Sequence, residues 1–154
     1  MDLPTAAPGS PYSIAPASWH DLGDLRRIEK FCFPKDAWPL FDLIGILTFP
    51  NIVRLKAVSD SQMVGFVAGD IKRSERLAWI ATIGVLPAYR RRGIGAALLR
   101  ACEAQIDVPV IRLVVRQSNQ DAIRLYERFG YAIMGKWRRY YSDGEDGAVM
   151  EKRI

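Results

Sequence analysis

The chain has 154 residues, of which 22 are lysine or arginine and 17 are aspartate or glutamate, giving a net charge of +5. This length fits one folded domain with its own core, and the composition is that of an ordinary globular protein. The modest basic excess favours anionic ligands but lacks the dense cationic cluster of a nucleic-acid-binding protein, so we expect no nucleic-acid partner.

Cysteine usage and hydropathy narrow the remaining classes of protein. Cys32 and Cys102 lie far apart, each among apolar residues, which is typical of free, reduced and buried thiols. The sequence shows no secretory signal and no apolar run long enough to span a bilayer. We therefore expect a cytoplasmic protein, a monomer or homodimer, that binds neither a membrane nor a metal ion.

The first third of the chain predicts a tail, a strand and two helices. Residues 1–10 are rich in proline, alanine and small polar residues, which is typical of a flexible tail. Residues 12–17 are a candidate edge strand, and Ser18 is a candidate N-cap for a helix extending to about Phe31. The inner stripe of that helix is formed by Leu22, Leu25, Ile28 and Cys32.

A second helix is predicted after Trp38-Pro39, because proline suits the first helical turn. Its apolar residues recur at helical spacing and predict one apolar face. A face of this kind is usually core, but it can also wall a substrate groove or an interface, and the sequence leaves these alternatives open. The face consists of Leu40, Leu43, Ile44 and Leu47.

The middle of the chain alternates strands with one helix. Residues 53–58 and 63–70, joined by a short polar turn, predict an antiparallel hairpin. Residues 77–85 predict the next strand, followed by a helix at 93–106 and a buried strand at 110–115. A strand, helix and strand in succession predict a parallel pair with a right-handed crossover.

The last third predicts one helix and two strands. Ser118 and Asn119 open a helix that ends at Gly130, and Ser118 with Asp121, three positions later, resembles a capping box. Residues 131–141 and 148–153 predict the final strands. Residues 11–154 are thus predicted to form a single α/β domain, whose mixed, mostly antiparallel sheet contains a central parallel pair and is flanked by helices.

The most informative stretch is IGVLPAYRRRGIGAALL, residues 83–99. A strand leads through three arginines and two glycines into the start of a helix. Four N–H groups at a helix start lack internal partners, the helix dipole is positive there, and glycines allow close approach of a ligand. This arrangement suits a phosphate or pyrophosphate, the alternative being a basic loop that merely caps a helix.

Three motifs resemble those of one enzyme family. The Arg-x-x-Gly-x-Gly sequence at residues 90–95, preceded by Val-x-Pro, resembles the acetyl-CoA pyrophosphate loop of the GNAT acetyltransferases. SNQDAIRLYERFGY, residues 118–131, is similar to the pattern that follows the fifth strand in that family. Residues 137–152 resemble the ending of RimI-like enzymes, which acetylate protein N-terminal α-amines, apart from an extra Gly147. The segment CFPKDAWP is a second departure, because RimI-like enzymes have a shorter Phe-Pro-Trp-Ser-type segment at that place.

The resemblance implies direct transfer of the acetyl group of acetyl-CoA to the N-terminal α-amine of a peptide or protein. The pyrophosphate would be held by Arg90, Arg91, Arg92, Gly93, Ile94, Gly95 and Ala96. The backbone of the preceding strand would pair with the pantetheine arm at Ile83, Gly84 and Val85. In the second motif, Asn119 would contact the cofactor and Tyr126 would be the general acid. Tyr140 and Tyr141 would bind the substrate.

The general base is the point at which this sequence departs from the family. RimI-like enzymes carry a glutamate on the fifth strand, and Val114, which cannot accept a proton, occupies that position here. An α-amine has a pKa of about 7.7–8.0, against about 10.4 for lysine, so much of it is already neutral near pH 7. We therefore predict water-mediated deprotonation, with Tyr140, Glu145 or Glu29 as possible helpers.

Two alternative functions stay open on the sequence. The first is an acetyltransferase of a small amine, such as a polyamine or an antibiotic. The second is a module that binds acetyl-CoA without catalysis, having lost its base. Comparing the turnover of short peptides with that of small amines distinguishes the first alternative from a peptide acetyltransferase. Cofactor binding without transfer to any amine identifies the second.

Overall fold

The computed structural model of the chain describes residues 11–154. The predicted flexible tail, residues 1–10, lies outside the described residues. The helices are α1 Leu22–Cys32, α2 Leu40–Thr48, α3 Ile94–Ala104 and α4 Gln120–Arg128. The strands are β1 Ser13–Pro16, β2 Ile52–Ser59, β3 Gln62–Lys72, β4 Leu77–Val85, β5 Val110–Arg116, β6 Ala132–Trp137 and β7 Gly147–Arg153.

All seven strands belong to one mixed sheet with the order β1-β2-β3-β4-β5-β7-β6. Antiparallel pairs join β1 to β2, β2 to β3, β5 to β7 and β7 to β6. The strands β4 and β5 are parallel, with a register that runs from Leu77↔Val110 to Trp79↔Arg112. The predicted α/β class, with a mostly antiparallel sheet and a central parallel pair, is confirmed. Within residues 11–154, no helix has the length and hydropathy needed to cross a bilayer.

The chain divides into two compact units, of which the first comprises the described residues up to Asp70 and Ala81–Ile106. Its β2–β3 hairpin turns at Asp60 and Ser61, whose φ angles of 53° and 63° are those of a two-residue turn of the primed type. The predicted hairpin is therefore confirmed. The fully buried side chains that hold this unit together include Leu25, Ile28, Leu43, Val64, Phe66, Leu98 and Leu99.

The predicted start of the first helix is confirmed at Ser18. Its hydroxyl accepts from the N–H of His20, and its own N–H donates to the Asp21 carboxylate, so a capping box opens the segment. The first turn, Trp19–Asp21, is a 3-10 turn, and α1 follows at Leu22. Cys32, at its end, is free but only half-buried.

The predicted apolar face of α2 is partly wrong. Leu43 and Leu47 are buried as expected, but Leu40 and Ile44 are exposed, and Ile46 is buried in their place. The inward face is thus centred between Leu43 and Ile46, and the helix is turned relative to the pattern. Because the helix is apolar all round, the periodicity did not define a single face.

The second unit comprises Ile71–Ile80 and Asp107–Ile154. Asn119, and not Ser118, caps α4, since its side-chain oxygen accepts from the N–H of Ala122 at 3.2 Å. The predicted capping box of Ser118 with Asp121 is therefore wrong. The helix ends as predicted at Gly130, whose φ is +95°.

Strand β6 is shorter than the predicted segment 131–141. It ends at Trp137, because Arg139 adopts a left-handed φ of 51° and its N–H donates to the Asp146 carboxylate at 2.9 Å. A polar turn follows, and β7 begins at Gly147, one residue earlier than predicted. This early departure from the sheet places the Tyr140-Tyr141 pair in the β6–β7 loop.

Candidate functional site

The basic loop between β4 and α3 contains two left-handed residues. After a 3-10 turn at Pro87–Tyr89, Arg91 has a φ of 64° and Gly93 a φ of 81°. Gly93 occupies the N-cap of α3, and the N–H of Ala97 donates back to its carbonyl at 2.9 Å. The N–H groups of Ile94, Gly95 and Ala96 therefore stand in the first turn, where no intrahelical acceptor exists.

The three arginines of this loop differ in their surroundings. Arg90 donates from Nε to the Val85 carbonyl at 2.8 Å, which ties the loop to the end of β4. Arg91 is exposed. The guanidinium of Arg92 lies 5.4 Å from the centroid of the Tyr89 ring. The sequence gives no reason to distinguish these arginines, whereas the structure bonds Arg90 to β4, leaves Arg91 exposed and half-buries Arg92.

Nη1 of Arg92 is a buried donor without a hydrogen-bond partner. Leaving such a donor unpaired is costly, and the few native cases call for an explanation such as a ligand. A pyrophosphate supplies acceptor oxygens for this nitrogen and for the N–H groups at the start of α3. The residues of the loop thus fit the diphosphate part of coenzyme A.

The end of β4 is crowded by the end of α1. The Val85 carbonyl accepts from Arg90 Nε and from Sγ of Cys32 at 3.3 Å, so both of its lone pairs are used. Burial raises the pKa of Cys32, which keeps the thiol protonated as a donor. A Cβ at Gly84 would lie 3.2 Å from Cys32 Sγ and from the Phe33 ring. Of Val85, only the N–H can serve an additional acceptor.

A buried carboxylate joins α1 to β4. Glu29 is 2% exposed, and its two oxygens accept from Thr82 Oγ1 at 2.8 Å and from the Trp38 N–H at 3.2 Å. Burial raises the pKa of Glu29, an effect that the two hydrogen bonds oppose. Because both oxygens accept hydrogen bonds within the protein and are shielded from solvent, Glu29 fixes the α1–α2 loop and has no oxygen free to accept a proton from an acceptor amine. The sequence indicates this burial, because Glu29 lies four residues after Leu25 and therefore on the inner face of α1.

We expect Glu29→Ala to lower the free energy of unfolding by about 2–4 kcal/mol, because Thr82 and the Trp38 N–H lose their acceptors. Glu29→Gln keeps the shape and can keep both contacts, so it serves as the matched control. Because the folded pKa of Glu29 is raised, the folded protein binds more protons, and its stability falls as pH rises from the ordinary carboxyl pKa to the raised one. Urea unfolding between pH 4 and pH 8 should show that the Gln variant is more stable than the wild type at neutral pH. Its free energy of unfolding should also lack the fall with pH that Glu29 causes in the wild type. A Gln variant as unstable as the Ala variant would contradict this reading.

In the second unit, Tyr126 is buried in α4. Its ring lies 5.9 Å from that of Tyr131, edge to face. Burial raises the pKa of Tyr126, and the neighbouring Tyr141 hydroxyl raises it further. The Tyr126 hydroxyl therefore keeps its proton at neutral and moderately alkaline pH, and the structure brings the predicted acid close to a predicted substrate-binding residue.

Glu145 is held by strong donors. Its carboxylate accepts from the Ser118 N–H and from Nη1 of Arg116, both at 2.8 Å. Hydrogen bonds from the Ser118 side chain, then from Arg116 and from the Ser118 N–H, hold the pKa of Glu145 below its usual range. A carboxylate with a lowered pKa is a weak base, so Glu145 is better suited to fixing the β6–β7 loop than to taking a proton.

Val114 stands in an apolar contact. A Cβ on Gly147 would lie 2.6 Å from Cγ1 of Val114 and 3.3 Å from Cβ of Tyr140, so only glycine fits at this point of β7. Tyr140 is exposed, whereas Tyr141 is half-buried, with the Arg116 guanidinium 4.3 Å from its ring centroid. The position at which RimI-like enzymes carry a glutamate is thus held by a half-buried valine that packs close to the Gly147 backbone.

The predicted site residues fall into two groups, one in each unit. The first unit brings together Ile83, Gly84 and Val85 with the whole basic loop, residues 90–96. The second unit brings Tyr126 next to Tyr141, and holds Asn119 at the start of α4. The cap interaction uses the side-chain oxygen of Asn119, so its amide NH₂ is the group that remains for a ligand.

Known proteins are similar to this chain in sequence and in fold. The model of the Acetyltransferase (GNAT) family matches residues 19–131. The N-alpha-acetyltransferase of Sulfurisphaera tokodaii is 29% identical to this chain over an alignment of 164 positions. The alignment covers 97% of this chain and 98% of that protein. The ribosomal-protein-S18-alanine N-acetyltransferase of Escherichia coli superimposes with a TM-score of 0.84 at 27% identity, over 93% of this chain and 94% of that chain.

A further solved structure is informative about ligands. Arabidopsis thaliana Naa50, in complex with the bisubstrate analogue CoA-Ac-MVNAL, superimposes with a TM-score of 0.79 at 27% identity. The superposition covers 93% of this chain and 99% of that chain. That relative therefore holds coenzyme A joined through an acetyl group to a five-residue peptide.

Proposed function

Because this chain belongs to the Acetyltransferase (GNAT) family and is an acetyl-CoA-dependent N-acetyltransferase, we propose that its acceptor is the N-terminal α-amine of a peptide or protein. The observation that carries the proposal is that Val114, which cannot accept a proton, stands at this point of β5, and that both carboxylate oxygens of Glu145 in the same unit already accept hydrogen bonds. Such a site suits an amine of which an appreciable fraction is already neutral before it binds. The N-alpha-acetyltransferase of S. tokodaii, which this chain resembles over nearly its whole length, supports the same acceptor.

Acetyl-CoA supplies an acetyl group activated as a thioester. In our proposal, Arg92 and the N–H groups of Ile94, Gly95 and Ala96 bind the pyrophosphate, while Arg91 adds positive charge. Arg90 holds the loop against β4 through the Val85 carbonyl. The pantetheine arm would pair with the main chain of Ile83 and with the N–H of Val85, Gly84 allowing close packing of α1 at this point.

Tyr126 would donate a proton or a hydrogen bond to the departing sulfur. Since burial raises the pKa of Tyr126, the hydroxyl is fully protonated at the pH of the reaction. Its strength as an acid is correspondingly low, so a hydrogen bond that stabilises developing charge on the sulfur is the role that the pKa favours. Asn119 would add a contact to the cofactor through its amide NH₂.

Deprotonation of the acceptor is left to water in this scheme. Glu29 and Glu145 accept hydrogen bonds on both oxygens, and Val114 has no proton acceptor. At neutral pH a lysine amine is roughly two to three pKa units less available than an α-amine, which is on the order of 3–4 kcal/mol. A site without a strong base therefore discriminates in favour of α-amines without contacting them.

This scheme predicts a pH–rate profile set by the acceptor. With a peptide α-amine below saturation, kcat/KM of the wild-type protein should rise about tenfold per pH unit and level off near the amine pKa, about 8. Val114→Glu, which introduces a carboxylate at this point of β5, should raise the rate at pH 6.5 on the order of tenfold. Val114→Gln is the matched control and should not. An unchanged rate for the Glu variant, or a wild-type rate that is flat with pH, would contradict water-mediated deprotonation.

A further inference from the structure

The outward side of α2 is apolar along its whole length. Two neighbouring rows of side chains, each with a spacing of four residues, form this side, which we call the α2 face: Leu40, Phe41, Ile44, Thr48 and Phe49. Phe41 is 85% exposed and Phe49 is 62% exposed, and Leu40 and Ile44 are exposed beside them. Single apolar side chains are common at a protein surface, whereas a contiguous group of this kind is typical of a binding surface.

The α2 face offers apolar contact and not charge. The Thr48 hydroxyl donates to the Ile44 carbonyl at 2.7 Å, so it is already engaged within the helix. The Phe49 ring folds back over Gly45, since a Cβ on this glycine would lie 2.9 Å from Cε2 of the ring. Asp42, the one charged residue of α2, belongs to neither row of the face. A partner of this face is therefore recognised by shape and apolar area.

One side of α2 is already covered by its own unit. The helix packs on α1, on β2 and on the Trp19–Asp21 turn, and it buries Leu43, Ile46 and Leu47 there. A helix that is apolar all round is normally buried all round. Because the α2 face stays exposed in a single chain, the helix has the character of one that a second molecule covers.

The size of the α2 face matches the lower end of specific protein interfaces. Trp38, which is partly exposed, adjoins the face two residues before Leu40. Since a fully buried aromatic side chain covers roughly 150–250 Å², the exposed parts of these residues together present roughly 500 Å². Two such faces bury about 1,000 Å² in total, which is the area that a specific interface needs.

We propose that a second copy of this chain covers the α2 face, so that the protein is a homodimer in which two α2 helices pack against each other. In a twofold dimer both protomers use the same patch, and an apolar face therefore finds its apolar complement in the second copy. The two rows of the face are ridges of the kind that pack into the grooves of a facing helix. The sequence is compatible with a monomer or a homodimer, and the α2 face favours the homodimer.

Sedimentation equilibrium of the full chain tests the proposal. Over roughly 1 to 200 μM, the mass of the wild-type protein should rise from 17.4 kDa toward twice that value, since an interface of this size is expected to dissociate in the micromolar range. Phe41→Ser should weaken the association at least tenfold, because each dimer loses the contact twice. Phe41→Leu keeps most of the apolar area and should retain most of the association. Because Phe41 is largely exposed, urea unfolding of the dilute Ser variant should match that of the wild type.

Ile44→Ser and Ile133→Ser are a matched pair, because Ile44 belongs to the α2 face and Ile133 is an exposed isoleucine of β6 in the second unit. Only Ile44→Ser should weaken the association. A wild-type mass that stays at 17.4 kDa over the whole range, or a dimer that both α2 variants leave unchanged, would overturn the proposal.

Deletion of residues 1–10 tests a different occupant of the α2 face, the N-terminal segment of the same chain. The proposal predicts that the shortened chain associates as the full chain does. A full chain that stays monomeric and dimerises only after the deletion would assign the face to this segment and refute the second copy.

Discussion

Arg92→Ala is expected to weaken acetyl-CoA binding roughly ten- to a hundredfold while changing the stability of the free protein by less than about 1 kcal/mol. The reason is that Nη1 of Arg92 is buried and has no partner in the protein. Its removal takes away an unsatisfied donor together with a cation–π contact to Tyr89, and these two effects on folding oppose each other. The bound pyrophosphate, in contrast, loses a charge-assisted hydrogen bond.

Isothermal titration with acetyl-CoA and urea unfolding of the same preparations measure the two effects separately. Arg26→Ala is the matched control, because Arg26 is an exposed arginine of α1 and its loss changes the net charge equally. The control should bind acetyl-CoA as the wild type does. A large loss of stability with unchanged binding would show that Arg92 is structural and would remove the main argument for a diphosphate at this loop.

Tyr126→Phe is expected to lower kcat on the order of a hundredfold or more, with little change in acetyl-CoA affinity. The hydroxyl is buried on α4 and keeps its proton, since burial raises its pKa. Phenylalanine fills the same space, so the loss falls on stabilisation of the leaving group and not on packing. No ionisation of Tyr126 should limit the rate below about pH 10.

Single-turnover measurements with saturating acetyl-CoA isolate this step. Tyr131→Phe is the matched control, because Tyr131 is a buried tyrosine whose ring packs against that of Tyr126. Removing the Tyr131 hydroxyl should alter the free energy of unfolding far more than the rate. Equal rates for wild type and the Tyr126 variant would assign Tyr126 to the core, as its apolar helix face alone suggests.

Features set by local chemistry could be predicted from the sequence. Ser18, Gly130 and the polar turn at Asp60-Ser61 each fix a backbone conformation through their own side chains or through the lack of one. The basic loop belongs to the same class, because arginines, glycines and a helix start act within seven residues. Its local sequence therefore carried both its structure and its candidate ligand.

Features set by three-dimensional packing could not be predicted. The burial of Ile46 in place of Ile44 depends on how α2 sits on its neighbours, and the sequence of α2 is apolar on every side. Similarly, Ser118 and Asn119 are both good caps, and in the structure Asn119 caps α4 while Ser118 bonds to Glu145 through its N–H and its side chain. Contacts distant in sequence thus overrule local preference.

The candidate site shows the same division. That Val114 cannot accept a proton follows from the residue type alone. The contact between Val114 and Gly147 requires the β5–β7 register, and the closure of both Glu29 oxygens requires the packing of α1 on β4. The ring contacts that connect Trp79, Trp137, Tyr140 and Tyr141 likewise join β4, β6 and the β6–β7 loop, which are up to 62 positions apart in the sequence (79 to 141).

The measurement that tests the account most directly is acetyl-CoA consumption at pH 7.5 with three matched acceptors. These are a pentapeptide with a free α-amine and no lysine, the same peptide with a blocked N-terminus and one lysine, and a polyamine. We expect turnover of the first acceptor to exceed that of the other two at least a hundredfold, since the site lacks a strong base. Turnover of the lysine peptide or the polyamine at a rate equal to that of the α-amine, or acetyl-CoA binding with no transfer to any of the three, would contradict it.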